Sequence, residues 1–303
     1  MHTIRHDIFD VGNCRVTMTL SYDLHSHSTA SDGTLSPAAL VERAHANGVN
    51  VLALTDHDVT TGLDEARTTA DALGLTLVPG IEISVTWKDQ TVHILGLHID
   101  PANEALQNGL TQLRKFRDWR AEEIGRGLEQ HGIPDAYLGA KKYAHGSIVS
   151  RTHFARFLVE HGHAADLPQV FKRFLVRGRP GYVAGDWAAL EDAVGWIRAA
   201  GGEAVIAHPG RYKLTATHRR SLFNEFKECG GVAIEVISGS HSQDEYGTMA
   251  NYARQFGFLA SVGSDYHGPT NPWMELGKLP ELTKMCTPIW AHWADNKGGS
   301  VIN

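Results

Sequence analysis

With 303 residues, 42% of them hydrophobic and 20% charged, the chain has the make-up of an ordinary globular protein: one large domain, or one domain carrying a sizeable insertion. No apolar run reaches the length of about 18 residues that a membrane helix needs, and the first twenty residues, with His2, Arg5, His6, Asp7, Asp10 and Arg15, hold no stretch fit for a signal peptide, so a cytoplasmic protein is expected. The net charge of −6 argues against a generic nucleic-acid binder, yet residues 101–186 carry 13 Lys and Arg against 9 Asp and Glu, a basic middle suited to an anion.

In chain order, Tyr22-Asp23-Leu24 leads into the first histidines. Ser36 caps and Pro37 opens a helix that Gly48 closes, and 49–54 follows as a strand. A helix from near Thr60 to Gly74 precedes strands at 75–78, 81–84 and 91–99, apolar at alternate positions. Residues 103–130, 149–160 and 167–175 have helical patterns and form an α-helical insertion over 101–182. The last third alternates again: helix 188–200, strand 204–207, helix 219–229, strand 232–236, helix 245–256, strand 258–262. Such alternation argues for an α/β protein with a parallel sheet covered by helices, either a barrel or a doubly wound sheet. The tail from Asp295 reads as frayed.

Three cysteines, Cys14, Cys229 and Cys286, fit neither a disulfide framework nor a zinc knuckle. The 18 histidines are the unusual feature. They gather with acids at predicted strand ends, where α/β folds build their sites: Asp23-Leu24-His25-Ser26-His27, then Asp32, Thr55-Asp56-His57-Asp58, Gly80-Ile81-Glu82, His93, Ala207-His208-Pro209-Gly210-Arg211 and Ser264-Asp265-Tyr266-His267. Imidazole and carboxylate together suit zinc, manganese and iron, and nine candidate ligands exceed what one tetrahedral ion needs. Several ions sharing a bridging carboxylate would use them, as in phosphoryl hydrolysis. No Gly-x-Ser-x-Gly elbow points to a serine nucleophile.

In this order the motifs resemble the PHP family, named for polymerase and histidinol phosphatase, from about Tyr22 to about Trp290. Ser150 to Arg156 and Gly181-Tyr182-Val183 resemble one branch, the bacterial 3',5'-nucleoside bisphosphate phosphatases and 5'-3' exoribonucleases. The resemblance implies a distorted seven-stranded β/α barrel over 22–100 and 183–292, with 101–182 inserted for substrate binding and 1–21 and 293–303 as terminal extensions. It also implies a trinuclear centre. His25, His27, Glu82 and Asp265 would hold the first ion; Glu82 would bridge to a second, completed by His93 and His208; Asp32, His57 and His267 would hold the third. Many relatives place a histidine where this chain has Asp32, and the harder carboxylate favours manganese over zinc or iron.

The implied reaction is in-line attack of a metal-bridging hydroxide on a phosphate monoester, with no nucleophilic side chain. Asp56 is expected to orient a ligating imidazole, and Asp58 is either a helix-entry cap or a catalytic group. Arg151, Arg177, Arg179 and Arg211 are the candidate phosphate-binding residues; His153 and Lys172 are weaker, and His241 fits a satisfied loop histidine better than a proton donor. The expected substrates are 3',5'-bisphosphorylated nucleosides and short 5'-phosphorylated RNA, with no membrane and no obligate protein partner. Histidinol-phosphate phosphatase and a non-catalytic PHP interaction module are the competing readings.

Overall fold

Short apolar runs form the strands, and all of them join one sheet. The computed structural model describes residues 20–270 and 273–293, so Cys14 and the tail from Asp295 lie outside the described residues. β1 (Tyr22–Asp23), β2 (Val51–Leu54), β3 (Thr76–Trp87), β4 (Gln90–Leu97), β5 (Glu203–Ile206), β6 (Ala233–Ser238) and β7 (Leu259–Gly263) are hydrogen-bonded in chain order. The Leu24 N–H donates to the Val262 carbonyl at 2.9 Å and Ser26 bridges Tyr266, so β7 returns to β1 and the sheet nearly closes as a barrel.

The sheet is not uniformly parallel. β4 runs antiparallel to both β3 and β5, while the remaining pairs are parallel. The cause is local: β3 and β4 are joined by Lys88 and Asp89 alone, at φ 44° and 61°. Two residues of positive φ make a tight hairpin and leave no length for a crossover helix. The two strands expected at 75–78 and 81–84 are also one continuous β3. Gly80 does not turn the chain there; it allows close approach, since a Cβ would sit 2.8 Å from Thr55 Cγ2 and 2.9 Å from the Leu54 carbonyl oxygen. Glu82 therefore lies within a strand instead of at its end, while His93 lies within β4, as expected.

Helices cover the barrel. α1 (Pro37–Ala46) starts at Ser36, whose side chain accepts the Ala39 N–H, and α2 (Leu63–Leu73) stops at left-handed Gly74. Between β4 and β5 come α3 (Glu104–Glu129), α4 (Ala136–Lys141), α5 (Arg151–Glu160) and α6 (Leu167–Val170), the last running into a π-helical turn, Phe171–Leu175. α7 (Leu190–Ala199), α8 (Ala216–Glu228) and α9 (Gln243–Phe256) follow. The inserted helices have their own core of Ile124, Leu128, Phe154, Leu158, Val170 and Leu175. α3 straddles two cores, because Leu106, Leu110 and Leu113 pack into the barrel's. Cys229 and Cys286 are free thiols, and no helix among the described residues is long and apolar enough to cross a membrane.

The packing around Gly80 yields a test. Gly80→Ala should destabilise the fold by about 1–3 kcal/mol through overpacking against β2, read as a lower urea midpoint at unchanged m-value.

Candidate metal centre

Loops at one end of the barrel carry most of the titratable cluster. His25 and His27 follow β1, Asp32 sits in the next turn, and His57 follows β2. His208 follows β5, while Asp265 and His267 follow β7. β3 and β4 supply the rest from within: Ser84 pairs with His93, and His57 bridges Glu82. Because β4 runs backwards, its first half lies at the same end as the C-terminal ends of the parallel strands.

Glu82 is the meeting point. Its fully buried Oε2 lies 3.4 Å from His25 Nε2, 3.2 Å from His27 Nε2 and 2.9 Å from His57 Nδ1. Its Oε1 lies 2.9 Å from His93 Nδ1 and 3.2 Å from His208 Nε2. Asp265 Oδ1 stands 3.4 Å from both His25 Nε2 and His27 Nε2. Asp32 Oδ1 is 3.3 Å from His267 Nε2 and 3.9 Å from His57 Nε2.

The donor set fits divalent metal on two counts. Ligand atoms about 2.0–2.1 Å from one ion lie about 3.0–3.4 Å from each other, depending on coordination number, and most of these separations fall there. Several of the buried atoms also have no hydrogen-bond partner: Asp32 Oδ1, Glu82 Oε2, His57 Nδ1 and His93 Nδ1. His57 Nδ1 and Glu82 Oε2 are close without being aligned to bond, as expected of ligands aimed at a shared third atom. The ligand atoms form four overlapping groups: His27, Asp32, His57 and His267; His25, Glu82 and His208; His25, His27 and Asp265; and His57, Glu82 and His93. All nine candidates are thus brought together, with His25, His27, His57 and Glu82 each reaching two groups.

Charge is balanced inside the cluster. Burial would raise the pKa of Glu82, Asp32 and Asp265, but the surrounding imidazoles hold all three well below the usual carboxylate range. Burial would lower His25 and His27, but Glu235, Glu82 and Asp265 outweigh it for His25, and Asp265 and Glu82 raise His27 to about 10. Burial wins at His93 and His208, whose pKa values fall.

Several supports carried little sequence signal. Glu235, fully buried in β6, accepts the His25 Nδ1–H at 2.9 Å and the His208 backbone N–H at 2.6 Å. That bond fixes the His25 tautomer and leaves the Nε2 lone pair facing the cluster. A lone acid in the otherwise apolar run Ala-Ile-Glu-Val-Ile was its signal. Tyr212 accepts the His93 N–H at 2.8 Å, Ser240 donates to Asp265 at 2.5 Å, and Ser150 donates to Asp32 at 3.0 Å.

Two expectations are corrected. Among the described residues Asp56 is hydrogen-bonded to no imidazole; it accepts the Ser28 N–H and hydroxyl at 2.8 and 2.6 Å and the Ser31 hydroxyl at 2.5 Å, fastening the turn that carries Asp32. Asp58 is not a helix-entry cap, since α2 begins after Gly62. At φ 51° it accepts the Ser84 N–H at 2.8 Å and Arg117 Nε at 2.7 Å, a buried ion pair from α3. Of the arginines, Arg211 Nη1 lies 3.8 Å from Asp265 Oδ2, and Arg151 interacts electrostatically with Arg211 and Asp32. Arg177 and Arg179 stand on an exposed turn, Arg177 hydrogen-bonded to Tyr182, and Lys172 is exposed. His241 accepts the Gly210 N–H at 2.9 Å, as a satisfied loop histidine does. His153 Nδ1 accepts the Ser150 N–H, and burial takes its pKa down to about 4.

A barrel whose strand ends carry this constellation defines a class of metal-dependent hydrolases. Residues 23–238 match the model of the PHP domain, and the chain belongs to that family of phosphoesterases. It is 48% identical over 269 residues to the 3',5'-nucleoside bisphosphate phosphatase of Chromobacterium violaceum, covering 88% of this chain and 94% of that one. It is 45% identical to a 5'-3' exoribonuclease of Haemophilus influenzae, covering 90% and 99%. A solved Chromobacterium violaceum chain, described as an amidohydrolase with bound sulfate and no metal, superposes with a TM-score of 0.88 at 46% identity, over 91% of this chain and 96% of that one.

Two outcomes follow. Glu235→Gln should weaken metal affinity by about 10–100-fold in a chelator-competition titration, with little change in thermal midpoint. A raised His27 means that metal displaces a proton, so apparent affinity should climb between about pH 7 and 9. Calorimetry in two buffers of different ionisation enthalpy would show the protons released. In the metal-free protein the same shift stabilises the fold below its ordinary pKa of 6.5, and that contribution is lost as pH rises through about 10.

Proposed function

We propose that this phosphoesterase hydrolyses 3',5'-nucleoside bisphosphates and short 5'-phosphorylated RNA, working from the 5' end in the 5'-to-3' direction. The observation that carries the reading is the pairing of a nine-donor centre with guanidiniums at its mouth, Arg211 and Arg151. The names of the two relatives, a bisphosphate phosphatase and a 5'-3' exoribonuclease, support the same substrate class. A non-catalytic interaction module would not need all nine donors at ligand spacing.

Three divalent ions are proposed, with manganese favoured by the carboxylate of Asp32. His25, His27, Glu82 and Asp265 would hold one; Glu82, His93 and His208 a second; Asp32, His57 and His267 a third. Such ions supply water activation near neutral pH and neutralise charge on the phosphate oxygens. The protein's own groups do the positioning. Arg211 extends beyond Asp265 and can grip a terminal phosphate with planar paired donors, and Arg151 backs it from α5. Ser150 and Arg156, bonded to the side chain and backbone carbonyl of Asp32, hold the inserted helices against the centre. Arg177 and Arg179 would meet the chain of a longer substrate.

Manganese-loaded protein should cleave a 5'-phosphorylated oligoribonucleotide at least about 10²-fold more efficiently than its 5'-hydroxyl counterpart, since a site built around a charged group rejects the analogue lacking it. Equal kcat/KM values for the two would show that the 5' phosphate is not read.

A further inference from the structure

The connection from β5 to α8 starts at a donor of the centre. His208 is followed by Pro209, Gly210 and Arg211, and Arg211 Nη1 lies 3.8 Å from Asp265 Oδ2. Residues 204–224 carry Arg211, Lys213, Arg219 and Arg220 and no Asp or Glu. In a chain of net charge −6, so long a stretch without an acid makes a local excess of positive charge beside the site.

The loop is held at several points, so its cations do not ride on a loose tether. The Tyr212 hydroxyl accepts the His93 N–H at 2.8 Å, and the Leu214 N–H donates to the Tyr212 carbonyl at 2.7 Å. Arg219 reaches back from α8 to that same carbonyl at 3.2 Å. Thr215 caps α8 by accepting the His218 N–H at 3.2 Å.

The acids around the loop are already engaged. Asp265 faces Arg211, Glu225 pairs with Lys88 at 3.0 Å, and Glu245, which interacts with Arg219, is bonded to Ser242. Among the described residues Lys213 and Arg220, both exposed, form no ion pair.

Placement distinguishes these two from ordinary solvated charges. In the ring of seven strands, β5 stands as far from β1 as any strand can. The inserted helices are fastened to the turn after β1, through Ser150 and Arg156 on Asp32. The β5–α8 loop therefore borders the centre from the side away from that fastening. The tip of the β3–β4 hairpin divides it from Arg177: Asp89 faces Arg177, while Lys88 donates to Ser221 of α8 at 2.7 Å. A strand cut at its first internucleotide bond has that phosphate on the donors and its 5' end to one side, so the remaining nucleotides leave on the other.

We propose that Arg211, Lys213 and Arg220 form a cationic track for the 3' portion of an RNA substrate, the part beyond the scissile phosphate. The inference rests on the function proposed above. Such a track meets backbone phosphates and does not read base sequence. A bisphosphorylated mononucleoside is too short to use it.

The test compares Lys213→Gln/Arg220→Gln protein with wild type on a 5'-phosphorylated octaribonucleotide and on 3',5'-ADP. The expected result is a fall of about tenfold in kcat/KM for the octamer relative to 3',5'-ADP, expressed in KM. Each phosphate neutralised on a single strand adds about 0.7 to the slope of log affinity against log salt, so the octamer's slope should flatten by about 1.4. Lys213→Glu/Arg220→Glu should deepen the loss. An equal loss on both substrates, or an octamer that keeps its affinity and salt slope, would overturn the track. Fluorescence anisotropy with a phosphorothioate-linked octamer reads binding apart from turnover. Wild-type protein that cleaves neither substrate would refute the proposed activity, while the change in octamer affinity would still decide the track.

Discussion

A single buried carboxylate, Glu82, organises this molecule. Five imidazoles point at its two oxygens, and no solvent reaches it. An isolated carboxylate in such a place would take up a proton, because the desolvation penalty of the ion runs to several kcal/mol. The histidines prevent that by adding positive charge, and the carboxylate in turn keeps His27 basic. This mutual dependence is what a hydrogen-bond network alone would not produce, since the cluster leaves several of its own atoms unbonded. Metal would resolve the arrangement: one positive centre can satisfy atoms that face each other but cannot bond each other.

The surrounding architecture serves that convergence. The β3–β4 hairpin sets His93 beside the strand that carries Glu82, and the bridge from His57 closes the other side. Asp58 then ties three things at once: the Ser84 amide on β3, the loop that bears His57, and Arg117 on α3. The inserted helices are thus anchored to the two strands nearest the cluster. On the far side, Ser150 and Arg156 hold the start of α5 to Asp32. The inserted helices and the donor cluster share the same fastenings, so distortion of one is transmitted to the other through the buried Asp58–Arg117 pair and the bonds to Asp32.

Legibility from sequence tracked locality. His25 and His27, two apart on an extended segment, and Asp265 and His267, following an apolar run, stand out because their spacing and the strand before them lie within a few residues. The same holds for Ser36 and Gly74, which mark helix ends by side-chain chemistry and left-handed backbone. The hairpin did not announce itself: Lys88-Asp89 takes positive φ without the Asn-Gly or Asp-Gly signature usual for such turns. The break expected between 78 and 81 is absent, because Gly80 there serves close packing against Thr55 and Leu54 and does not interrupt the strand. Glu235 and Arg117 matter only through partners far away in sequence, and Asp56 reads as an imidazole's partner from the general habit of carboxylates near ligating histidines, a role for which the fold substitutes Ser28 and Ser31. Nothing in a linear pattern encodes those distances.

The closure of the barrel bears on how the protein is made. The bond from Leu24 to the Val262 carbonyl joins the first strand to the last. His25 and His27 consequently meet Asp265 only after nearly the whole chain has left the ribosome, and contacts of such sequence separation form slowly. A chain lacking Asp265 and His267 would present seven of the nine candidate donors. The full donor set is then a late product of folding: only a chain whose first and last strands have met presents all nine candidate donors at one site.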